Sequence, residues 1–183
     1  GGSGTQTMVF SSTADSATFT GIFGGGFISL GSGNDNITFS GAAINGTTIN
    51  GADNSDTIHF VAGNNSAVFG SAIGAAAQVS FGSGNDMATF NGAISAGSIY
   101  GGAGSDTLAF AGAVTAGATI DQGAGADSVY FGSSLTGTTL TGSGADTFSM
   151  QGATTVVFGA LSSAASQVSF GSNADMATFG ATV

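Results

Sequence analysis

All ten formal charges of this 183-residue chain are aspartates. Eight of them, Asp15, Asp35, Asp56, Asp86, Asp106, Asp127, Asp146 and Asp175, share one frame. Five of its seven steps are of similar length, and two, Asp56 to Asp86 and Asp146 to Asp175, are about half as long again. Asp53 and Asp121 fall outside the frame. Carboxylates at a regular spacing are ligands for hard cations, and the chain contains no Lys or Arg that could neutralise them. The chemistry open to these residue types is oxygen coordination of a metal ion. Ca2+ suits it better than Mg2+, because Ca2+ accepts a flexible, all-oxygen shell.

The residues around each Asp show what positions it. Two after the Asp stands an apolar residue (Ala17, Ile37, Ile58, Ala88, Leu108, Val129, Phe148, Ala177), and four after it stands Phe, or Met150 in one case. A period of two is strand periodicity, with both side chains facing one interior. Gly stands four before the Asp at Gly31, Gly82, Gly102, Gly123, Gly142 and Gly171, and two before it at Gly33, Gly84, Gly104, Gly125 and Gly144. These are tight-turn positions, and a turn built on Gly can aim its carbonyls at a cation. A second apolar strand completes each unit, for example around Ile94 and Ile99, Val114 and Ile120, and Leu135 and Leu140.

A unit of about 20 residues cannot bury its apolar face alone, so neighbouring units must stack. The expected fold is all-β: a parallel, β-roll-like solenoid with about 20 residues per coil, as a single repeat domain over 1–183. The two long steps are expected to be enlarged coils of about 30 residues, still within the range of solenoid repeats, carrying an extra strand or a bulged loop. They contain a near-identical stretch, Val79-Ser80-Phe81 to Met87-Ala88-Thr89-Phe90, echoed by Val168-Ser169-Phe170 to Met176-Ala177-Thr178-Phe179.

In such a stack the eight carboxylates are expected in a single file about 4.8 Å apart. At about 5 Å, two charges repel by about 0.8 kcal/mol in water and about 3 kcal/mol at an effective dielectric of 20. Over seven neighbouring pairs that rivals a domain's whole stability, roughly 5–15 kcal/mol. An external cation must neutralise the file, or the acids must be protonated.

Composition removes other functions. Without Lys or Arg the chain cannot neutralise phosphates, so nucleic acid and anionic membrane surfaces are excluded as partners. No apolar run is long enough for a membrane helix, so direct membrane insertion is not expected. The absence of Cys, Glu and Lys leaves most nucleophilic and acid-base schemes without players, and the expectation is a protein that is not an enzyme. His59, three positions after Asp56, reads as an outward surface residue. Met87 and Met176 also face outward, where they could mark lateral contacts. The outward Thr positions are too mixed for an ice-binding file.

Gly101-Gly102-Ala103-Gly104-Ser105-Asp106-Thr107-Leu108-Ala109 resembles the nonapeptide of the RTX, or hemolysin-type, calcium-binding repeats. Gly31 to Ile37, Gly82 to Ala88, Gly123 to Val129 and Gly142 to Phe148 are similar to it without the first Gly. The resemblance implies a parallel β-roll with Ca2+ held between turns by the eight aspartates and the loop carbonyls, in proteins secreted by bacteria or displayed on their surface. Here Asp falls on only one edge of the coil, so a single row of metal is expected. Its weakest members are Asp15 and Asp175, and Asp53 is a candidate extra ligand.

The function expected on this basis is a calcium-stabilised structural solenoid of an extracellular filament, surface layer or adhesin stalk, cut from a longer array. It would associate with itself laterally or head to tail, the segment from Phe179 stacking on the Gly1 to Phe10 segment of the next copy. The alternative is the repeat region of a secreted enzyme or toxin whose catalytic domain lies elsewhere.

Overall fold

The structure, a computed structural model, describes residues 6–21, 23–41, 44–51, 54–161 and 166–180. Positions 1–5 and 181–183, which the expected head-to-tail contact involves, lie outside the described residues. Twenty strands and no helix are found among those described. One sheet of nine strands stacks Gln6–Val9, Phe23–Ser29, Ile44–Asn50, Ser66–Phe69, Met87–Phe90, Thr107–Phe110, Ser128–Phe131, Thr147–Met150 and Gln167–Phe170. The other, of eleven, runs through Ser16–Phe19, Asn36–Phe39, Thr57–Phe60, Gln78–Ser80, Ser98–Tyr100, Thr119–Ala124 and Leu135–Ser143, with two-residue strands at Ile94–Ser95 and Val114–Thr115. Thr154–Leu161 and Asp175–Phe179 extend this second sheet.

Every strand pairing is parallel and joins a strand to its counterpart one coil later, as in Ser128↔Thr147, Ser16↔Asn36 and Asn36↔Thr57. The chain is therefore an all-β parallel solenoid with a coil of about 20 residues, the separation at which Asp15 bonds Asp35 and Asp86 bonds Asp106. The strands form where the two-residue period is apolar. Ile37, Phe39, Ile58, Phe60, Leu108, Phe110, Val129 and Phe131 are all buried in one continuous core. Phe rings at the same register position stack on one another: Phe39 on Phe60 on Phe81 at 4.9 and 4.7 Å, and Phe69 on Phe90 on Phe110 on Phe131 at 4.7, 4.8 and 4.9 Å. Such pairs contribute about 0.5–1.5 kcal/mol each beyond their burial, and their spacing measures the coil pitch.

Most coils are made of two unlike halves. One half is a Gly turn, the Asp and a four-residue strand such as Asn36–Phe39 or Thr107–Phe110. The other is a longer strand interrupted by a residue with positive φ, such as Ile44–Asn50 around Gly46 or Leu135–Ser143 around Gly137.

This division explains the two long steps, and it corrects the expectation of enlarged coils. No coil enlarges there: Thr57 pairs with Gln78 and Ser66 with Met87 at the ordinary spacing. Instead the Asp half changes sides. Strands that follow Asp15, Asp35 and Asp56 belong to the eleven-stranded sheet, whereas those that follow Asp86, Asp106, Asp127 and Asp146 belong to the nine-stranded one. Asp175 is back in the eleven-stranded sheet, paired with Thr154. The steps from Asp56 to Asp86 and from Asp146 to Asp175 are thus each a coil and a half.

The echoed stretch follows the same rule. Gln78–Ser80 lies in the eleven-stranded sheet and its copy Gln167–Phe170 in the nine-stranded one, so the longer repeat turns the pattern half a coil about the solenoid axis. Met87 and Met176 are 53% and 60% exposed, as the outward reading requires, but they sit on opposite faces.

Candidate metal centre

The single file of eight carboxylates does not exist, because the change of sides divides it. Asp15, Asp35 and Asp56 form one file. Asp86, Asp106, Asp127 and Asp146 form a second beside the other sheet, and Asp175 stands alone on the first side. Runs of three and four leave five neighbouring charge pairs instead of seven, which lowers the repulsion the fold must overcome. Asp35, Asp56, Asp86, Asp106, Asp127 and Asp146 are buried, and Asp15 and Asp175 are half-buried. Asp121 lies outside both files, accepting from the Gly123 N–H at 3.1 Å. Asp53 lies outside the described residues.

Within each file one carboxylate oxygen is committed to the backbone. The N–H of Asp15 donates to Oδ1 of Asp35, and that of Asp35 to Oδ1 of Asp56, both at 2.7 Å. In the second file the N–H groups of Asp86 and Asp106 donate to Oδ1 of Asp106 and Asp127 at 2.8 Å, and that of Asp127 to Oδ1 of Asp146 at 3.3 Å. A buried backbone N–H needs such a partner, so Asp here is first a structural cap for the coil before it.

The second oxygen is different. Oδ2 of Asp35, Asp86, Asp106, Asp127 and Asp146 is buried without a hydrogen-bond partner. An unmet ionised oxygen in the interior is costly, and five in two short files are not an accident of one turn.

Two residues at the ends of the second file show what the Oδ2 position requires. Asn65, one coil before Asp86, occupies the file position with an amide, and its N–H donates to Asp86 Oδ1 at 2.7 Å. Its Oδ1 accepts from the Ile44 N–H at 3.0 Å, and its Nδ2 donates to Gly63 O at 2.7 Å and to Asp86 Oδ1 at 2.8 Å. At the far end Ser166 Oγ donates to Gly144 O at 3.0 Å and faces the Asp146 N–H at 3.3 Å. Where Asn65 presents a donor to the next carboxylate and to the glycine carbonyl two positions back, Asp86, Asp106 and Asp127 present another acceptor. The corresponding carbonyls are those of Gly84, Gly104 and Gly125.

An alignment on Asp alone misses Asn65 and Ser166. The signal was present nonetheless: Ala67 and Phe69 follow Asn65, and Val168 and Phe170 follow Ser166, at the file's own offsets of two and four.

The acidities follow from this environment. Burial, followed by the neighbouring charges, pushes Asp106 up to about 6 despite its bond from the Asp86 backbone. Asp127 is likewise pushed up to about 6, by burial first and then by Asp146. Burial also raises Asp86 and Asp146, though bonds from Asn65 and from Asp127 respectively oppose it. Near neutral pH these groups need either protons or a positive charge beside them.

The turns hold the carbonyls in place. Gly104 and Gly125 have φ of +137° and +154°, and a Cβ on Gly125 would collide with the carbonyl of Gly104 in the preceding coil. The carbonyls of Gly82 and Gly102 accept from Ala103 and Ala124 at 2.8 Å, and that of Gly123 from Ser143 Oγ at 2.9 Å, so these oxygens bind coil to coil. Gly31 and Gly33 hold the equivalent turn before Asp35 in the first file.

Among the described residues no group of three or more His, Cys, Asp or Glu side chains gathers to hold an ion. A cation at a step of the file would therefore draw on two neighbouring carboxylates and on backbone oxygen. The donor set suits that role: acidic oxygens without partners on successive coils, whose stacked Phe rings repeat at 4.7–4.9 Å, about twice the 2.3–2.6 Å Ca–O distance. No known protein family, curated protein or solved structure matches this chain.

Proposed function

We propose that this chain is a calcium-stabilised structural β-solenoid, part of a filament, surface layer or adhesin stalk on the outside of a bacterial cell. The observation that carries the proposal is the row of buried Oδ2 atoms in Asp86, Asp106, Asp127 and Asp146, none of which has a hydrogen-bond partner. Asp35, with Asp15 and Asp56, holds a shorter file of the same kind. Bound Ca2+ would supply the positive charge these oxygens lack.

The chain's own residues do the rest. Oδ1 of Asp35, Asp56, Asp86, Asp106, Asp127 and Asp146 fixes the preceding coil through a backbone N–H, the stacked Phe rings set the pitch, and the Gly turns join coil to coil through their carbonyls. Ligands that exist as a set only in the stacked state couple binding to folding. With free Ca2+ a hundredfold above its dissociation constant, a single site adds about 2.7 kcal/mol. Calcium is scarce inside cells and plentiful outside, so the solenoid would reach full stability only after export, and the resemblance to RTX repeats supports the same setting. Self-association fits a structural role, with Met87 and Met176 exposed on opposite faces for lateral contact.

Far-UV circular dichroism at pH 7.5 with a calcium chelator tests this reading. The β signal should melt at a lower temperature and regain its stability when Ca2+ is added in excess. A spectrum and a melting curve indifferent to both additions would overturn it.

A further inference from the structure

Gln122 is a buried polar residue that the aspartate files do not explain. It is fully buried, and neither its Oε1 nor its Nε2 has a hydrogen-bond partner. The residue five before the file Asp is Leu30, Phe81 or Gly101 in other coils, so the fold does not require an amide there. A buried carboxamide with both ends unmet is costly where Leu or Phe would serve, so its presence points to a ligand.

The surroundings show where that ligand would lie. Gln122 is flanked by Gly101 in the coil before and Gly142 in the coil after, both without a side chain. The point a Cβ on Gly142 would occupy is 2.6 Å from Asp146 Oδ2 and 3.0 Å from Gln122 Oε1, so two buried, unpartnered oxygens border one small space. Asp127 Oδ2, also unpartnered, belongs to the same step of the file. On its outer side Gly142 lines a surface depression with Gly102, Gly123, Asp121 and Thr141.

We propose that Gln122 Oε1, Asp127 Oδ2 and Asp146 Oδ2 form a distinct cation site for one Ca2+ ion beside Gly142. The two carboxylates balance the charge of a divalent ion. The carboxamide adds an unpartnered neutral oxygen to the two carboxylates, so this step binds more tightly than steps held by carboxylates alone. The inference rests on the calcium reading of the files and adds a ligand to it.

Two variants test it. Gln122→Leu removes the ligand and replaces both unpartnered atoms with apolar ones. Gly142→Ala places a Cβ 2.6 Å from Asp146 Oδ2 and so displaces that ligand, without straining a backbone that has no positive φ. Calcium per chain and affinity are measured for each by calorimetric titration of chelator-stripped protein, with circular dichroism confirming the fold. Each variant should lose one Ca2+ per chain, or bind at that step at least tenfold more weakly, while the remaining sites keep their affinities. Stoichiometry and affinities equal to those of the parent would overturn the proposal and leave the calcium reading standing. It also fails if Gln122→Leu lowers chelated-state stability with calcium binding unchanged, because the amide would then be a donor to Asp146. A parent chain that binds no Ca2+ would overturn both.

Discussion

The side-chain amide of Asn65 donates to Oδ1 of Asp86 at 2.8 Å, at the first step of a file that continues through three more aspartates. That bond supplies a donor where the next steps have none. Asn65→Asp keeps the oxygen that accepts from Ile44 and removes the donor. Without calcium at pH 7.5 the variant should be less stable by roughly 1–3 kcal/mol, the cost of an unmet buried polar group. With calcium it should recover and bind additional metal. Urea titrations with and without Ca2+ check both directions, and equal stability under the two conditions would count against the file as a metal site.

Asp127→Asn makes the converse change. Asn can still accept from the Asp106 N–H, as Asn65 does from Ile44, and it brings a donor toward Asp146. Stability in chelator at neutral pH should rise by about 1–3 kcal/mol, while the gain from adding Ca2+ should shrink. A variant that loses stability in chelator would show that the ionised Asp127 is well satisfied by groups of the fold itself.

Asp106 and Asp127 are held up to about 6, against an ordinary carboxyl value of about 3.8, chiefly by burial. Between those values the folded chain holds more protons than the unfolded one, so the calcium-free solenoid loses stability as pH rises from about 4 through about 6. It should be most stable at and below about pH 4, and saturating Ca2+ should flatten the decline by favouring the ionised form. Melting temperatures across pH 4–8 in chelator check this. Stability that rises with pH over that window would reverse the inferred environment of the file.

Gly125 combines a φ of +154° with close approach to the Gly104 carbonyl. Gly125→Ala should cost roughly 2–4 kcal/mol with or without calcium, because the clash and the strained backbone belong to the coil. Phe110→Ala, in the middle of a four-ring stack, should cost about 3–5 kcal/mol. Denaturation of both variants in Ca2+ separates these losses from loss of metal.

The strands, turns and coil length were legible because each has a local cause: Phe four after Asp and an apolar residue two after it, with Gly where φ is positive. The side of the solenoid on which an Asp lies has no such marker. Both sides present a strand with the same two-residue period, so a frame aligned on Asp reads a coil and a half as one enlarged coil. Only the offsets of Ala67 and Phe69 from Asn65, and of Val168 and Phe170 from Ser166, carry the correction. Gln122 was illegible for another reason. Its significance comes from glycines in the adjacent coils, at Gly101 and Gly142, and from having no partner in the folded chain.

The central claim is that the buried aspartate files take up calcium. Its most direct test is the calcium retained per chain at pH 7.5, measured by equilibrium dialysis against micromolar free Ca2+. The parent is compared with a variant carrying Asn at positions 86, 106, 127 and 146. The parent should hold several ions and the variant should lose most of them while keeping its β spectrum. A folded parent that retains no calcium under these conditions would contradict the account.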